Sequence, residues 1–293
     1  MAERLVLARD DWTLELRADV GGAVASLRHR DRAVLRPSPP QFRDALQSAS
    51  FALVPYANRI AHGRFDHGGR SWQLPLNFGA HPHALHGVGW RACWNVTSHC
   101  PDAIVLCHEH DGGPGWPWPY VAEQRIDLVT DVVTFELTVV SRAEMPMPVG
   151  LGFHPAFPVS SGTVLRTNVG AVWLTDADQL PTGRAAENHF ADWRAGAPVQ
   201  RNSLIDHCHD DWERRLTITT SGITTLLRAS PDLDRLHIYV PPDADFFCAE
   251  PVSHVPDAIN RATAADTRGL RLLPPGGRFG VSMQIAVEEA AQV

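Results

Sequence analysis

The chain has 293 residues, of which 44% are hydrophobic and 20% charged, a composition typical of globular proteins. Its net charge of -7, without a Lys/Arg cluster interleaved with aromatic residues, argues against a nucleic-acid-binding groove. No apolar run approaches the about 20 residues of a membrane span, and residues 1–11 lack the apolar core of a signal peptide. We therefore expect a cytoplasmic protein with neither membrane nor nucleic acid as a partner.

Strand patterns occur along the whole chain. Five runs alternate apolar and polar side chains and are rich in β-branched residues: 13–20, 134–140, 215–219, 236–240 and 280–287. Because side chains alternate between the two faces of a strand, this period of two predicts strands with one face buried.

The distribution of glycine and proline indicates how these strands are connected. Long amphipathic helical patterns are scarce, whereas 22 glycines and 23 prolines divide the chain into short segments. The sequence therefore predicts an all-β fold, a large antiparallel β-sandwich, and one domain over residues 1–293. Residues 112–119 are predicted to be an ordered loop, because Trp116 and Trp118 are costly to leave in a solvated linker.

The cysteines predict neither disulfides nor redox chemistry. They are odd in number and lack CxxC spacing: Cys93, Cys100, Cys107, Cys208 and Cys248. We interpret them as reduced thiols that are packed in or near the core.

Three short segments each place one or two polar or titratable side chains between apolar neighbours. Asn58 and Arg59 lie in PYANRI (55–60), His154 in GFHP (152–155) and Glu250 in FCAEP (247–251). A histidine with a pKa of about 6.5 and a glutamate with a pKa of about 4.3 make a natural acid and base pair at neutral pH. A packed structural histidine and an arginine in a structural salt bridge are the alternatives.

Histidine-rich segments suggest a metal site. The short spacings occur at residues 81–86, 107–110 and 206–209. None of the three carries a specific metal signature, so exposed histidines are the favoured interpretation and no metal is predicted.

The motifs taken together resemble the aldose 1-epimerase, or galactose mutarotase, family. Their order along the chain carries the resemblance: PYANRI (55–60), LHG (85–87), GFHP (152–155), DH (206–207), FCAEP (247–251) and PDAIN (256–260). The resemblance covers nearly the whole chain and implies an antiparallel β-sandwich with a concave carbohydrate-binding cleft.

The resemblance also implies a mechanism and a set of roles. Glu250 would take the proton of the anomeric hydroxyl and His154 would protonate the ring oxygen, so that a free monosaccharide opens and recloses without a cofactor. The family's sugar-binding positions fall on four residues: Asn58, Arg59, His86 and Asp206.

Two departures from the family pattern lie at the expected sugar-binding cleft. Ala156 stands where the family often has a tyrosine, and the stretch before Glu250 is short, as in a shorter bacterial-type branch. The sugar is therefore not predicted. Trp116 and Trp118 are either a stacking wall for a sugar or part of the core.

Three alternatives to a free-sugar mutarotase stay open at this point. A sugar-phosphate epimerase would need more cationic groups in the cleft than Arg59. A glycosidase would use two carboxylates, for which Asp206 is the available partner of Glu250. A sugar-binding module would need neither an acid nor a base.

Overall fold

A computed structural model describes residues 4–220, 222–263, 266 and 268–289. The strands, in chain order, are β1 Leu5–Arg9, β2 Trp12–Arg17, β3 Ala23–His29, β4 Arg32–Ala33, β5 Ala52–Leu53, β6 Arg59–Ile60, β7 Arg64–His67, β8 Arg70–Gln73, β9 Ala84–Leu85, β10 Asn95–Cys100, β11 Ala103–His110, β12 Tyr120–Val129, β13 Val132–Ser141, β14 Met147–Val149, β15 Gly152–Phe153, β16 Ala156–Pro158, β17 Val164–Thr167, β18 Val172–Thr175, β19 Pro181–Ala185, β20 Ala197–Pro198, β21 Ile205–His209, β22 Arg215–Thr220, β23 Ile223–Ala229, β24 Arg235–Val240, β25 Phe246–Val252, β26 Arg271–Leu273 and β27 Arg278–Glu289. The helical segments are short: 3₁₀ turns at Ala45–Gln47, Ala61–Gly63 and Gly89–Arg91, and α1 at Ala258–Arg261.

Two large antiparallel sheets hold most of the strands. One has nine strands in the order β10-β11-β12-β13-β27-β23-β22-β17-β20, and the other runs β19-β18-β21-β24-β25-β15-β5, with β16 also paired to β25. A four-stranded sheet, β1-β2-β3-β4, and three two-stranded sheets, β6-β9, β7-β8 and β14-β26, complete the architecture. The predicted all-β antiparallel sandwich is confirmed. The single domain stays a prediction.

The nine-stranded sheet follows the period of two that the sequence predicted. In β12 every second side chain is buried, from Tyr120 to Leu128, and the residues between them are exposed or half-buried. Burying one such large apolar side chain stabilises the fold by about 1.5–3 kcal/mol. The core cluster combines side chains of both sheets, including Phe135 of β13 and Phe153 of β15, whose rings lie 6.5 Å apart.

Strands β24 and β25 differ because both of their faces are covered. One face packs Leu236, Ile238, Phe247 and Ala249 into the core. The other face carries five residues that line a cavity: His237, Tyr239, Phe246, Cys248 and Glu250. Burial on both sides explains why residues 246–252 show no alternation of apolar and polar side chains.

The two tryptophans of the 112–119 loop belong to the core. Trp116 and Trp118, in the loop that joins β11 to β12, are buried with ring centroids 5.2 Å apart, and the ring of Phe65 packs against both of them. Of the two alternatives, core packing is therefore correct and a sugar-stacking wall is wrong.

All five cysteines are free thiols. Cys208 and Cys248 are buried and Cys107 is half-buried, but Cys93 and Cys100 are exposed, so the expectation of thiols in or near the core is wrong for these two. In the described part of the chain, the helices are too short and too polar for any of them to cross a membrane.

Among the described histidines that are buried outside the cavity, three have a strongly lowered pKa. Burial lowers the pKa of His108, His209 and His254 to about 4. At His254 the reason is visible in the hydrogen bonds: Nδ1–H donates to the carbonyl of Val255 at 2.8 Å, and Nε2 accepts from the N–H of Ala57 at 3.0 Å. The ring is thus held in its neutral form, because a second ring proton would face the Ala57 N–H.

The lowered pKa of these three histidines predicts that acid destabilises the protein. An unfolded histidine binds its proton near pH 6.5, whereas the buried rings stay neutral down to about pH 4. Between these values the unfolded state binds more protons, so we expect the free energy of unfolding to fall by about 1.4 kcal/mol per pH unit for each histidine. Below about pH 4 the loss levels off. Urea titrations at pH 7, 6, 5 and 4.5 measure the slope.

A pair of variants separates this effect from general acid sensitivity. His108 packs between Trp94 and Tyr120, so His108→Phe fills a similar space without a titrating group and should reduce the slope by about one proton. The exposed His99, changed to Gln, should leave the slope as it is. Equal slopes in wild type and His108→Phe would refute this origin of the acid sensitivity.

Candidate active site

A cavity of about 360 Å³ opens on the covered face of β24 and β25. Its volume is in the range of ligand-binding pockets, and it has room for a monosaccharide. All six residues that the sequence analysis selected line it: Asn58, Arg59, His86, His154, Asp206 and Glu250.

The predicted acid and base lie side by side. Nε2 of His154 is 3.3 Å from Oε1 of Glu250, and the Glu250 side chain is only 3% exposed. Phe51 stacks on the His154 ring at 4.5 Å between centroids, and the N–H of His154 donates to the carbonyl of Phe51 at 3.0 Å. Ring and backbone contacts with the same residue therefore fix the orientation of the imidazole.

The electrostatics of this pair follow from burial. Burial lowers the pKa of His154, and the nearby Glu250 carboxylate acts in the opposite direction by favouring the protonated ring. Oε2 of Glu250 is buried and accepts no hydrogen bond from the residues that the structure describes. This oxygen is the one left to accept a proton or a hydrogen bond from a ligand.

His86 is held as a neutral donor. Its Nδ1 accepts from the N–H of Asn58 at 3.1 Å, and its own N–H donates back to the carbonyl of Asn58 at 2.8 Å. Both residues adopt the left-handed conformation, with φ of 56° and 57°, which is uncommon for non-glycine residues, and the hydrogen bonds between them hold it in place. Burial places the pKa of His86 well below 6.5, so its ring proton lies on Nε2.

Asp206 connects several polar side chains of the cavity wall. Its Oδ2 accepts from NH2 of Arg59 at 2.8 Å, and its Oδ1 accepts from Nε2 of His237 at 2.6 Å. NH1 of Arg59 donates to Oδ1 of Asn58 at 2.9 Å, and NH2 also donates to Gln179. The network orients one edge of the cavity with charge-assisted hydrogen bonds.

The network keeps Asp206 ionised. Burial alone would raise the pKa of this carboxyl, but the hydrogen bond from His237 and the charge of Arg59 outweigh burial and hold the pKa well below its usual range. Asp206 is therefore a fixed anion rather than a group that exchanges protons near neutral pH.

Several cavity residues were not selected from the sequence. They are Arg36, Phe51, Gln179, His237 and Tyr239. A partial signal exists for His237 and Tyr239, which alternate with Leu236 and Ile238 in a run predicted as a strand. That their face lines the cavity follows only from the pairing of β24 with β25, which sets His237 opposite Glu250.

One group of side chains in the described part of the chain has the donors for a metal ion. His154, Cys248 and Glu250 offer a nitrogen, a sulfur and an oxygen that all lie within 4.8 Å of one another. An ion there would occupy the predicted acid and base. The histidine-rich segments at residues 81–86, 107–110 and 206–209 do not form such a group, although His81 lines the cavity.

Comparisons with known proteins show which family this chain resembles. The family model "Aldose 1-epimerase" matches residues 13–286. The uncharacterized protein YphB of Escherichia coli K12 is 30% identical over 282 residues, which cover 92% of this chain and 94% of YphB. The crystal structure of a candidate aldose 1-epimerase from Escherichia coli K12 has a TM-score of 0.90 and 28% identity, covering 98% of this chain and 99% of that one.

A galactose mutarotase-like protein from Clostridium acetobutylicum shares the fold, with a TM-score of 0.86 at 18% identity over 98% of this chain and 95% of that one. The family model spans nearly the whole chain, and the motif order had predicted the same family. The chain belongs to the aldose 1-epimerase family.

Proposed function

We propose that this protein is a mutarotase that interconverts the α and β anomers of an aldose, with Glu250 as base and His154 as acid and without a cofactor. The observation that carries the proposal is the 3.3 Å contact between these two side chains at a cavity of monosaccharide size. The family supports an isomerase of this type.

The contact suits the chemistry because the two reacting oxygens of a pyranose, the anomeric hydroxyl and the ring oxygen, are bonded to the same carbon. Glu250 removes the hydroxyl proton while the bond between C1 and the ring oxygen breaks, and the ring oxygen takes the proton of His154, whose protonated form the adjacent Glu250 carboxylate favours against the effect of burial. The aldehyde rotates, and the ring closes on its other face as both protons return. A positioned acid or base typically contributes about 10²–10⁴-fold to the rate.

The other cavity residues suit the hydroxyls of a sugar. Arg59, His86 and Gln179 present fixed donors and acceptors on one side, and Phe51 offers an apolar ring beside His154. The donors are oriented before any ligand binds, which reduces the entropy lost on binding.

The state of Asp206 disfavours the glycosidase alternative. Asp206 is unsuited to the acid role in a glycosidase because its pKa is held far below the neutral range, and to the role of base or nucleophile because Arg59 and His237 occupy both of its oxygens. A sugar-binding module, in turn, would have no need to keep Glu250 buried with an unpartnered oxygen, since that burial costs stability.

The test is the polarimetric decay of freshly dissolved α anomers of D-glucose, D-galactose, D-xylose and L-arabinose, with native and heat-killed protein. Acceleration of any sugar supports the proposal and ranks the substrates. If calorimetry detects binding of one of these sugars and that bound sugar interconverts no faster than with heat-killed protein, the protein is a binding module and the proposal fails.

A further inference from the structure

A second arginine lines the same cavity and takes no part in the network around Asp206. Arg36 follows β4, and its N–H donates to the carbonyl of Ala156 at 2.8 Å, two residues beyond His154. Its NH2 donates to the carbonyls of Leu46 and Ser48 at 3.1 and 3.0 Å. These bonds fix the guanidinium at one end of the cavity.

The charge of Arg36 has no close counterpart within the described part of the chain. Arg59, the other cavity arginine, pairs with Asp206 at 2.8 Å, whereas no described carboxylate lies within 4.0 Å of Arg36. Asp245 is close enough to influence it, but Asp245 is exposed and does not line the cavity. Burial accordingly lowers the pKa of Arg36. A partly buried cation without a partner is costly unless a ligand supplies the anion.

The contacts of Arg36 determine which of its nitrogens can donate to a ligand. Its guanidinium carbon lies 3.9 Å from the centre of the Phe246 ring, both hydrogens of NH2 are used by carbonyls, and Nε is buried. NH1 remains to bind a ligand. Tyr239 lies on the same part of the cavity wall, and burial raises the pKa of its phenol, which therefore stays a neutral hydroxyl donor.

The position of Arg36 along the cavity matches one end of a sugar. Phe246, Cys248 and Glu250 share a face of β25, and four residues at about 3.3 Å each separate Phe246 from Glu250 by about 13 Å. This span leaves room for a ring and one exocyclic group between the two ends. A sugar with C1 at Glu250 and its ring oxygen at His154 would carry its exocyclic carbon on C5, beyond the ring oxygen, where Ala156 and Arg36 line the wall.

We infer that Arg36 binds a negatively charged group on the exocyclic carbon of the substrate, so that the protein acts on an acidic aldose in preference to a neutral one. This inference rests on the proposed function. A single guanidinium with one free nitrogen suits a singly charged carboxylate, as in a hexuronate, and a phosphate ester at the same carbon shares the chemistry.

The experiment compares anomer exchange of D-glucuronate, D-glucose 6-phosphate and D-glucose by NMR exchange spectroscopy at neutral pH. We expect kcat/KM for at least one acidic sugar to exceed that for glucose by about 10-fold or more, the usual effect of a charge-assisted hydrogen bond. The acidic sugar with the higher kcat/KM shows whether the group bound by Arg36 is a carboxylate or a phosphate. Arg36→Gln should reduce the ratio of acidic to neutral kcat/KM by about 10-fold or more.

Two further variants make the result specific. Arg43→Gln removes the same charge from an exposed position outside the cavity wall and should leave the ratio unchanged. Arg36→Lys keeps the charge and should retain more of the ratio than Arg36→Gln, which tests the site even if the glutamine variant folds poorly.

The outcomes distinguish a failure of the role of Arg36 from a failure of the proposed mutarotase function. Acceleration of glucose equal to or greater than that of both acidic sugars overturns the role of Arg36 and leaves the mutarotase in place. If none of the three is accelerated, the proposed function fails. Calorimetric binding of D-glucuronate then decides the inference alone: binding that weakens in Arg36→Gln supports it, and equal or absent binding in both proteins overturns it.

Discussion

Glu250→Gln is expected to lower kcat for anomer exchange by about 10²–10⁴-fold, because an amide cannot take the proton of the anomeric hydroxyl. The substitution keeps the size of the side chain and its place on β25 opposite His237. Wild type and variant are compared by polarimetry on the best substrate under the same conditions.

The same variant is expected to keep or raise its melting temperature. Glutamine replaces a buried carboxylate whose Oε2 has no partner among the described residues, so an unfavourable buried charge disappears. His154 can stay neutral without the carboxylate, because burial lowers its pKa. Glu136→Gln, on the exposed side of β13, is the control for both activity and stability. Adding His154→Asn should cost far less than the product of the two single effects, since the pair acts as a unit. Full activity in Glu250→Gln would remove this residue from the mechanism.

Asp206→Asn is expected to reduce the free energy of unfolding by about 3–5 kcal/mol, the usual cost of removing one partner of a buried ion pair. Arg59 would stay buried, with side-chain exposure of 9%, without its anion. The new amide would also present an N–H₂ group to either Arg59 or His237, both of which are donors here. Urea denaturation followed by circular dichroism measures the change.

The matched control is Asp102→Asn. Asp102 accepts from Arg9 at 2.7 Å, nearly the same distance, but the two side chains are about 40% exposed. Exposed pairs contribute about 0.2–1 kcal/mol, so this variant should change stability by less than about 1 kcal/mol. Similar losses at both positions would show that burial does not decide the cost.

Strands with one face in the core and one in solvent could be predicted from the sequence, whereas strands covered on both faces could not. Residues 134–140 and 215–219 alternate between core and solvent, so their side chains record the period of two, and both runs are strands. Residues 246–252 lie between the core and the cavity, where every position is covered, and only the family motif indicated their role. Two-residue strands such as β5 and β15 are set by their pairing partners and have no pattern of their own.

The candidate site shows the same limit. His154 and Glu250 stand out because glycine, proline and aromatic residues surround a single titratable group in each segment. Nothing around Arg36 distinguishes it from other arginines, because its place in the cavity depends on residues 46, 48 and 246, which are distant in sequence. A residue whose surroundings come from elsewhere in the chain leaves no local signal.

The hydrogen bond from Ala57 to His254 lies directly before Asn58 and Arg59 in the chain. Protonation of His254 near pH 4 would therefore release the main chain at the residues that orient the polar edge of the cavity. The acid limit of activity would then coincide with the acid loss of stability, because the ring that anchors this segment is also one of the rings whose protonation favours the unfolded state. Structural histidines distant from the reaction can in this way define the working pH range of an enzyme whose own acid and base remain in place.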